Sequence, residues 1–199
     1  MKAIFEKIEA LAKPYLDTRM NDLHTGISAR FACALIEKEG GSEDIILPAI
    51  LLHDVGWKRV PEEFHLKAFG PKADALEWQR VHEEEGAVIA REILLQVAYD
   101  EDKIQEILEI IDGHDSRKDA LSLNDRIVKD ADKLWRYSKE GFYIDIKRFE
   151  ETFDRGMKRL ESSLEKWFFT DSAKELARQE LTQRRQVKDG SHISGGPHV

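Results

Sequence analysis

His53 and Asp54 stand side by side at the end of an unbroken apolar run, Ile45-Ile46-Leu47-Pro48-Ala49-Ile50-Leu51-Leu52. Burying an imidazole and a carboxylate next to Leu51 and Leu52 is costly unless something binds them. A divalent cation answers both groups, because neutral imidazole nitrogen and ionised carboxylate oxygen are ordinary ligands for such ions. The last turn of a helix adds carbonyl oxygens and the negative end of its dipole, which also favour a cation. Three further histidines, His24, His82 and His114, fall on or at the end of other predicted helices. So do two carboxylates, Asp130 and Asp132, within Lys129-Asp130-Ala131-Asp132-Lys133-Leu134. Taken singly, His24 reads more readily as a surface histidine, and either aspartate as a solvated helix acid. Helices of a bundle can each turn one face to a common centre, and it is the spread over separate helices that points to a shared inorganic site.

Helical periodicity has to position these residues, and no segment alternates apolar and polar residues over strand length. The expected helices are 3–12, ended around Pro14; 22–39, stopped by Gly40-Gly41; and 42–53, capped by Ser42, with Pro48 kinking it or delaying its start. Gly56 is expected to let the chain turn directly after the His-Asp pair. Residues 57–70 read as a loop with one short helical piece, holding His65 in a charged stretch. A long helix over 72–97 follows, in which Gly86 would permit close approach of another helix. Then come 100–112, ended by Gly113 just before His114, and 122–138. Two charged amphipathic helices, 145–167 and 171–187, complete an all-α bundle. The expected organisation is one domain, 1–188, and a tail, 189–199, without periodicity, in which His192 and His198 are incidental.

The bulk properties narrow the partners. A formal charge of −8 argues against a general nucleic-acid or anionic-membrane binder, while leaving room for a local basic pocket. The single cysteine, Cys33, reads as a small core residue, and one cysteine fits a reducing cytoplasm. The segment Met1-Lys2-Ala3-Ile4-Phe5-Glu6-Lys7 lacks the apolar block of a signal peptide, and the run 45–52 is too short to span a bilayer. A cytoplasmic protein is expected. The C-terminal helices could pack on the core or on a second subunit, so a homo-oligomer is compatible.

His24, His53-Asp54 and Asp132 read together as H…HD…D, and over residues 19–138 the chain resembles the HD superfamily of metal-dependent phosphohydrolases, in its small stand-alone form. The resemblance implies an HD-type helical bundle around a central metal site. It selects Asp132 over Asp130 as the last ligand, beside His24, His53 and Asp54. His82 and His114 match the additional histidines of two-metal members, such as the HD-GYP phosphodiesterases and the di-iron oxygenases of the inositol-oxygenase type. They would serve either as ligands or as groups that bind phosphate or move a proton. The cofactor would be one or two divalent ions (Mn, Fe, Ni, Co, Mg or Zn), with Asp54 the natural bridge if there are two. Catalysis would then fall to Asp54, His82, His114 and Lys133, and phosphate contacts to Arg19, Lys133 and Lys58. The Gly-Tyr-Pro element of the cyclic-dinucleotide enzymes is absent after His114, where Asp115-Ser116-Arg117-Lys118-Asp119 stands, and there is no partner domain of the guanosine-tetraphosphate synthetase/hydrolases. The expected activity is hydrolysis of a phosphate ester or anhydride of a small metabolite, nucleotides included. The alternatives are a di-iron oxygenase, separable by metal and oxygen dependence, and a non-catalytic nucleotide- or metal-binding module.

Overall fold

In the computed structural model, which describes residues 2–68, 74–75 and 77–193, the regular structure is helical throughout. The α-helices among the described residues are α1 (Ala3–Ala12), α2 (Asn21–Glu39), α3 (Glu43–Leu52), α4 (Glu77–Gln96), α5 (Glu101–Ile111), α6 (Leu123–Leu134), α7 (Lys139–Arg148), α8 (Phe153–Trp167) and α9 (Asp171–Ile193). Short 3₁₀ turns cover Lys13–Tyr15, Val55–Arg59, Glu62–Phe64 and Trp135–Tyr137. None of these helices is long and apolar enough to cross a membrane.

The apolar run at 45–52 makes α3 the axis of the bundle. All of its residues from Ile45 to Leu52 are buried, as expected of a helix that is apolar all round. Helices α1, α2, α5 and α6 pack around it, and α4 lies against α5 and the Val55–Arg59 turn. Each fully buried Ile or Leu of such a core contributes about 1.5–3 kcal/mol. Together these contacts hold both ends of the His53-Asp54 segment. Pro48 does not delay the start of α3, which begins at Glu43. It sits inside the helix, where its missing N–H would leave the Asp44 carbonyl without a partner. The Tyr99 hydroxyl donates to that carbonyl at 2.6 Å instead.

Several expectations need correction. The chain does turn at Gly56, within the Val55–Arg59 turn, though without a left-handed φ. What the glycine provides is closeness, since a Cβ there would lie 1.9 Å from the His82 carbonyl oxygen and 2.5 Å from the Gly86 nitrogen. Gly86 itself has ordinary room, its nearest contact being Ile111 at 3.4 Å. Cys33 is exposed, because the inward face of α2 is set by Ala32 and Leu35 and Cys33 falls outside it. The expected helix 145–167 is two helices. α7 starts six residues earlier, its N-cap Ser138 accepting from the Gly141 N–H at 3.0 Å, and the chain breaks at 149–152 with Glu150 at φ 54°. Helix α9 continues to Ile193, through the first residues of the expected tail and the backbone of His192. His198 and the expected helix start at Lys72 lie outside the described residues.

Candidate metal centre

Five elements carry the centre. His24 comes from α2, His53 and Asp54 from the end of α3, His82 from α4, His114 from the segment after α5, and Asp132 from α6. His24 Nε2 lies 2.8 Å from His53 Nε2, 3.2 Å from Asp132 Oδ1 and 3.4 Å from Asp54 Oδ2. His53 Nε2 lies 3.5 Å from Asp132 Oδ1 and 3.8 Å from Asp54 Oδ2. A second lobe sits on the other oxygen of Asp54. Its Oδ1 is 3.7 Å from His114 Nε2 and 3.9 Å from His82 Nε2, and the two imidazole nitrogens are 3.3 Å apart. Asp115 Oδ2 completes this lobe at 3.7 Å from His82 and 3.8 Å from His114.

The donor set fits a divalent ion. His53 Nδ1 donates to the Ile50 carbonyl at 2.7 Å and His114 Nδ1 to the Ile111 carbonyl at 2.9 Å. With Nδ1 carrying the proton, each neutral ring turns an Nε2 lone pair inward, as in metal-binding histidines. Two lone pairs only 2.8 Å apart at His24 and His53 repel unless a proton or cation lies between them. The groups His24/His53/Asp132, His53/Asp54/His114 and His82/His114/Asp115 each place their ligand atoms within 4.8 Å of one another. This buried cluster is consistent with a divalent metal site.

Without an ion, the electrostatics are those of competing acids and bases. Burial alone would raise the Asp54 and Asp132 carboxyls, yet the surrounding imidazoles hold both well below the usual carboxylate range. Burial together with the neighbouring His114 lowers His82 to about 4. His114 goes the other way. Burial opposes its charge, but Asp54 and Asp115 overcome that and raise it to about 10. The two neighbouring rings are thus pushed in opposite directions, His82 toward its neutral form and His114 toward its protonated one.

Residues beyond the motif shape the site. The Trp57 indole donates from Nε1 to Asp54 Oδ1 at 3.0 Å, stacks on His82 at 4.2 Å, and carries the Arg19 guanidinium 3.7 Å from its ring centre. Arg19 and Met20 are both left-handed, at φ 55° and 61°, and Arg148 donates to the Arg19 carbonyl at 3.0 Å. Burial lowers Arg19 to about 9, so it remains a cation at neutral pH. The segment bearing His114 and Asp115 is held by buried Glu83, which accepts the Asp115 and Ser116 N–H groups at 2.8 Å each. Buried Lys129 donates to the carbonyls of Gly113, His114 and Arg117 at 2.5, 2.8 and 3.2 Å.

The centre opens into a cavity of about 450 Å³, lined by Arg19, Trp57, Asp132, Lys133, Trp135 and Arg136, among others. Of the proposed phosphate contacts, Arg19 and Lys133 face this cavity. Lys58 does not; it turns to the surface and pairs with Asp17 at 2.5 Å. Asp130 points away from the centre as well, accepting from the Phe169 and Thr170 backbone N–H groups and the Thr170 hydroxyl at the start of α9. His65 is buried rather than exposed in a loop, its Nε2 2.9 Å from the Val60 carbonyl and its ring edge-on to Trp57. Sequence reasoning gave no role to Trp57, Glu83, Asp115 or Lys129. The available signal was a charge on a core-facing stripe. Glu83 falls a helical repeat before Ala90, and Lys129 adjoins Val128 on the buried side of α6.

The HD domain family model matches residues 22–136, the span from α2 to the Trp135–Tyr137 turn that contains His24, His53, Asp54, His82, His114 and Asp132. The chain belongs to the HD domain family, and its helical bundle with a clustered His/Asp site is that of a metal-dependent hydrolase. Among solved structures it is similar to a protein of an uncultured Thermotogales bacterium, described as a predicted HD superfamily hydrolase. The two share 19% identity with a TM-score of 0.62, over 97% of this chain and 91% of that one, a likeness of fold. A comparison with curated proteins finds no match.

Proposed function

We propose that the protein hydrolyses a phosphate ester or anhydride of a small metabolite, with nucleotides among the substrates to be tried first. The observation that carries this reading is the union of the His/Asp centre with cations in one cavity. Arg19, Lys133, Arg136 and Arg148 line the space onto which Asp54, Asp115 and Asp132 open. His24, His53 and Asp132, with Asp54 Oδ2, would hold one ion; His82, His114 and Asp115, with Asp54 Oδ1, would hold a second. A bound divalent ion supplies an acidified water and neutralises charge developing on phosphorus.

The chain's own residues do the rest. Lys133 and Arg19 bind non-bridging phosphoryl oxygens, and Trp57 keeps Asp54 turned so that its two oxygens serve different lobes. If the second lobe holds no ion, His114 is the group placed to pass a proton to the leaving oxygen; if it holds one, His114 would be among its ligands. The oxygenase alternative shares this centre but requires iron and dioxygen. The test is elemental analysis of protein purified without chelator, combined with an anaerobic phosphate-release screen against a metabolite panel. The expected result is a tightly held divalent metal and oxygen-independent phosphate release, both lost in Asp54→Ala. Full activity in Asp54→Ala, or release that requires oxygen, rules the reading out.

A further inference from the structure

Part of the cavity wall comes from outside the family-matched segment. Helices α7 and α8 meet at the break 149–152, and Arg148, Phe149, Arg159, Ser163 and Trp167 of this hairpin line the same space as His24 and Asp132. Arg159 is firmly held in that wall. Its Nε donates to both carboxylate oxygens of Glu151, at 3.0 and 3.3 Å, and its guanidinium lies 5.7 Å from the Phe149 ring centre. One edge and one face of the guanidinium are thereby fixed, and the side chain is only 19% exposed. Its two terminal nitrogens hydrogen-bond to no group among the described residues, although a guanidinium carries five donors. Such a pre-oriented fork matches a planar carboxylate or a phosphate.

The dimensions agree. A cavity of about 450 Å³ falls within the roughly 300–1,000 Å³ of sites that enclose a drug-sized ligand, so a single phosphoryl group at the metal centre leaves most of it unfilled. Phe149, Trp135 and Trp167 add aromatic surface to the same cavity. Arg19 feels the charges of Asp54 and Asp115, whereas Arg159 is the cation that α8 contributes to the lining.

We propose that Arg159, with Phe149 and Trp167, forms a second anion subsite. It selects substrates that carry a further carboxylate or phosphate across a flat ring from the phosphoryl group that is cleaved. This rests on the phosphohydrolase reading of the centre, but concerns which molecules are held there.

The test uses the full-length, manganese-loaded protein and three aryl phosphates of similar build: phenyl phosphate, para-carboxyphenyl phosphate and para-phenylene bisphosphate. Their phosphonate counterparts, which cannot be hydrolysed, are titrated by calorimetry. In the wild type, kcat/KM for at least one of the two compounds bearing a second anionic group is expected to exceed that for phenyl phosphate by about tenfold or more, the scale of a charged hydrogen-bonded contact. That ratio, and the matching ratio of phosphonate affinities, should collapse in Arg159→Gln and be partly kept in Arg159→Lys. The better of these two compounds tells a carboxylate from a phosphate. General damage to folding moves all three substrates together and leaves the ratio alone. Equal ratios in wild type and Arg159→Gln overturn the subsite while leaving the hydrolase reading intact. No phosphate release from these compounds or from the metabolite panel, with an Arg159-dependent preference still seen by calorimetry, sinks the hydrolase reading and leaves the subsite standing.

Discussion

Trp57 donates its indole proton to Asp54 Oδ1 at 3.0 Å from only three residues further along the chain. The same ring stacks on His82 at an interplanar angle of 16°, so one side chain aims the shared carboxylate and supports a histidine of the second lobe. Trp57→Phe keeps an aromatic ring and removes the donor. Metal content should persist while turnover of para-nitrophenyl phosphate falls about 10- to 100-fold, the usual effect of losing a partner of a metal ligand. A wild-type rate in this variant would remove the indole from the machinery.

Asp130 and Asp132 should separate cleanly by phenotype. Asp132→Ala is expected to lose bound metal, measured by mass spectrometry, with little change in melting temperature of the metal-free protein. Asp130→Ala should do the reverse. It deprives the Phe169 and Thr170 N–H groups and the Thr170 hydroxyl of their acceptor, at about 1–3 kcal/mol per buried group left unsatisfied. Metal loss in Asp130→Ala alone would reverse the assignment.

Metal affinity should rise with pH. In the metal-free protein Asp54 and Asp115 raise His114 to about 10, against the opposing effect of burial. Below that value an ion entering the second lobe must displace a proton. The sign follows from linkage: a raised pKa stabilises the metal-free fold below the ordinary histidine value, and that contribution disappears as pH climbs through about 10. The gain in melting temperature on adding metal should therefore grow from pH 6 to pH 9. Calorimetric titration in buffers of different ionisation enthalpy counts the protons released at pH 7. If none is released, His114 is not displaced by the ion.

The two glycines that meet behind the centre are not equivalent. Gly56→Ala would push a Cβ to within 1.9 Å of the His82 carbonyl and should destabilise the protein by about 1–3 kcal/mol or more, with loss of His82 from the second lobe. Gly86→Ala meets only ordinary contacts and replaces a poor helix former, which favours stability by about 1 kcal/mol. Urea unfolding of the two variants compares them directly. Similar midpoints would mean that the close crossing at Gly56 is not maintained.

Much of the frame was legible because its signals are local. The apolar run to Leu52, the Gly40-Gly41 stop and the stripe Ile104, Ile107, Leu108, Ile111 mark α3, α2 and α5 to within a residue or two. The convergence of His24, His53, Asp54 and Asp132 was readable through the H…HD…D pattern. What escaped depends on tertiary partners. The tolerance of Pro48 within α3 relies on Tyr99, distant in sequence. The α7–α8 break has no glycine or proline to announce it, only Thr152 accepting from the Arg155 N–H at 3.3 Å. Asp115 is drawn to the second lobe by Glu83 from another helix, and Lys58, beside the motif in sequence, follows the 3₁₀ turn outward to Asp17.

The paired left-handed residues at the cavity mouth set durability against turnover. For side chains bearing a Cβ, each such conformation costs about 1–2 kcal/mol, and at Arg19–Met20 the cost is offset locally by contacts such as Arg148 on the Arg19 carbonyl. Selection for heat tolerance alone would drift toward glycine at either position. At 19 that exchange deletes a guanidinium from the cavity, and at 20 it loosens the hinge on which the guanidinium is mounted. The strain at this corner is thus tied to the placement of the Arg19 guanidinium over Trp57.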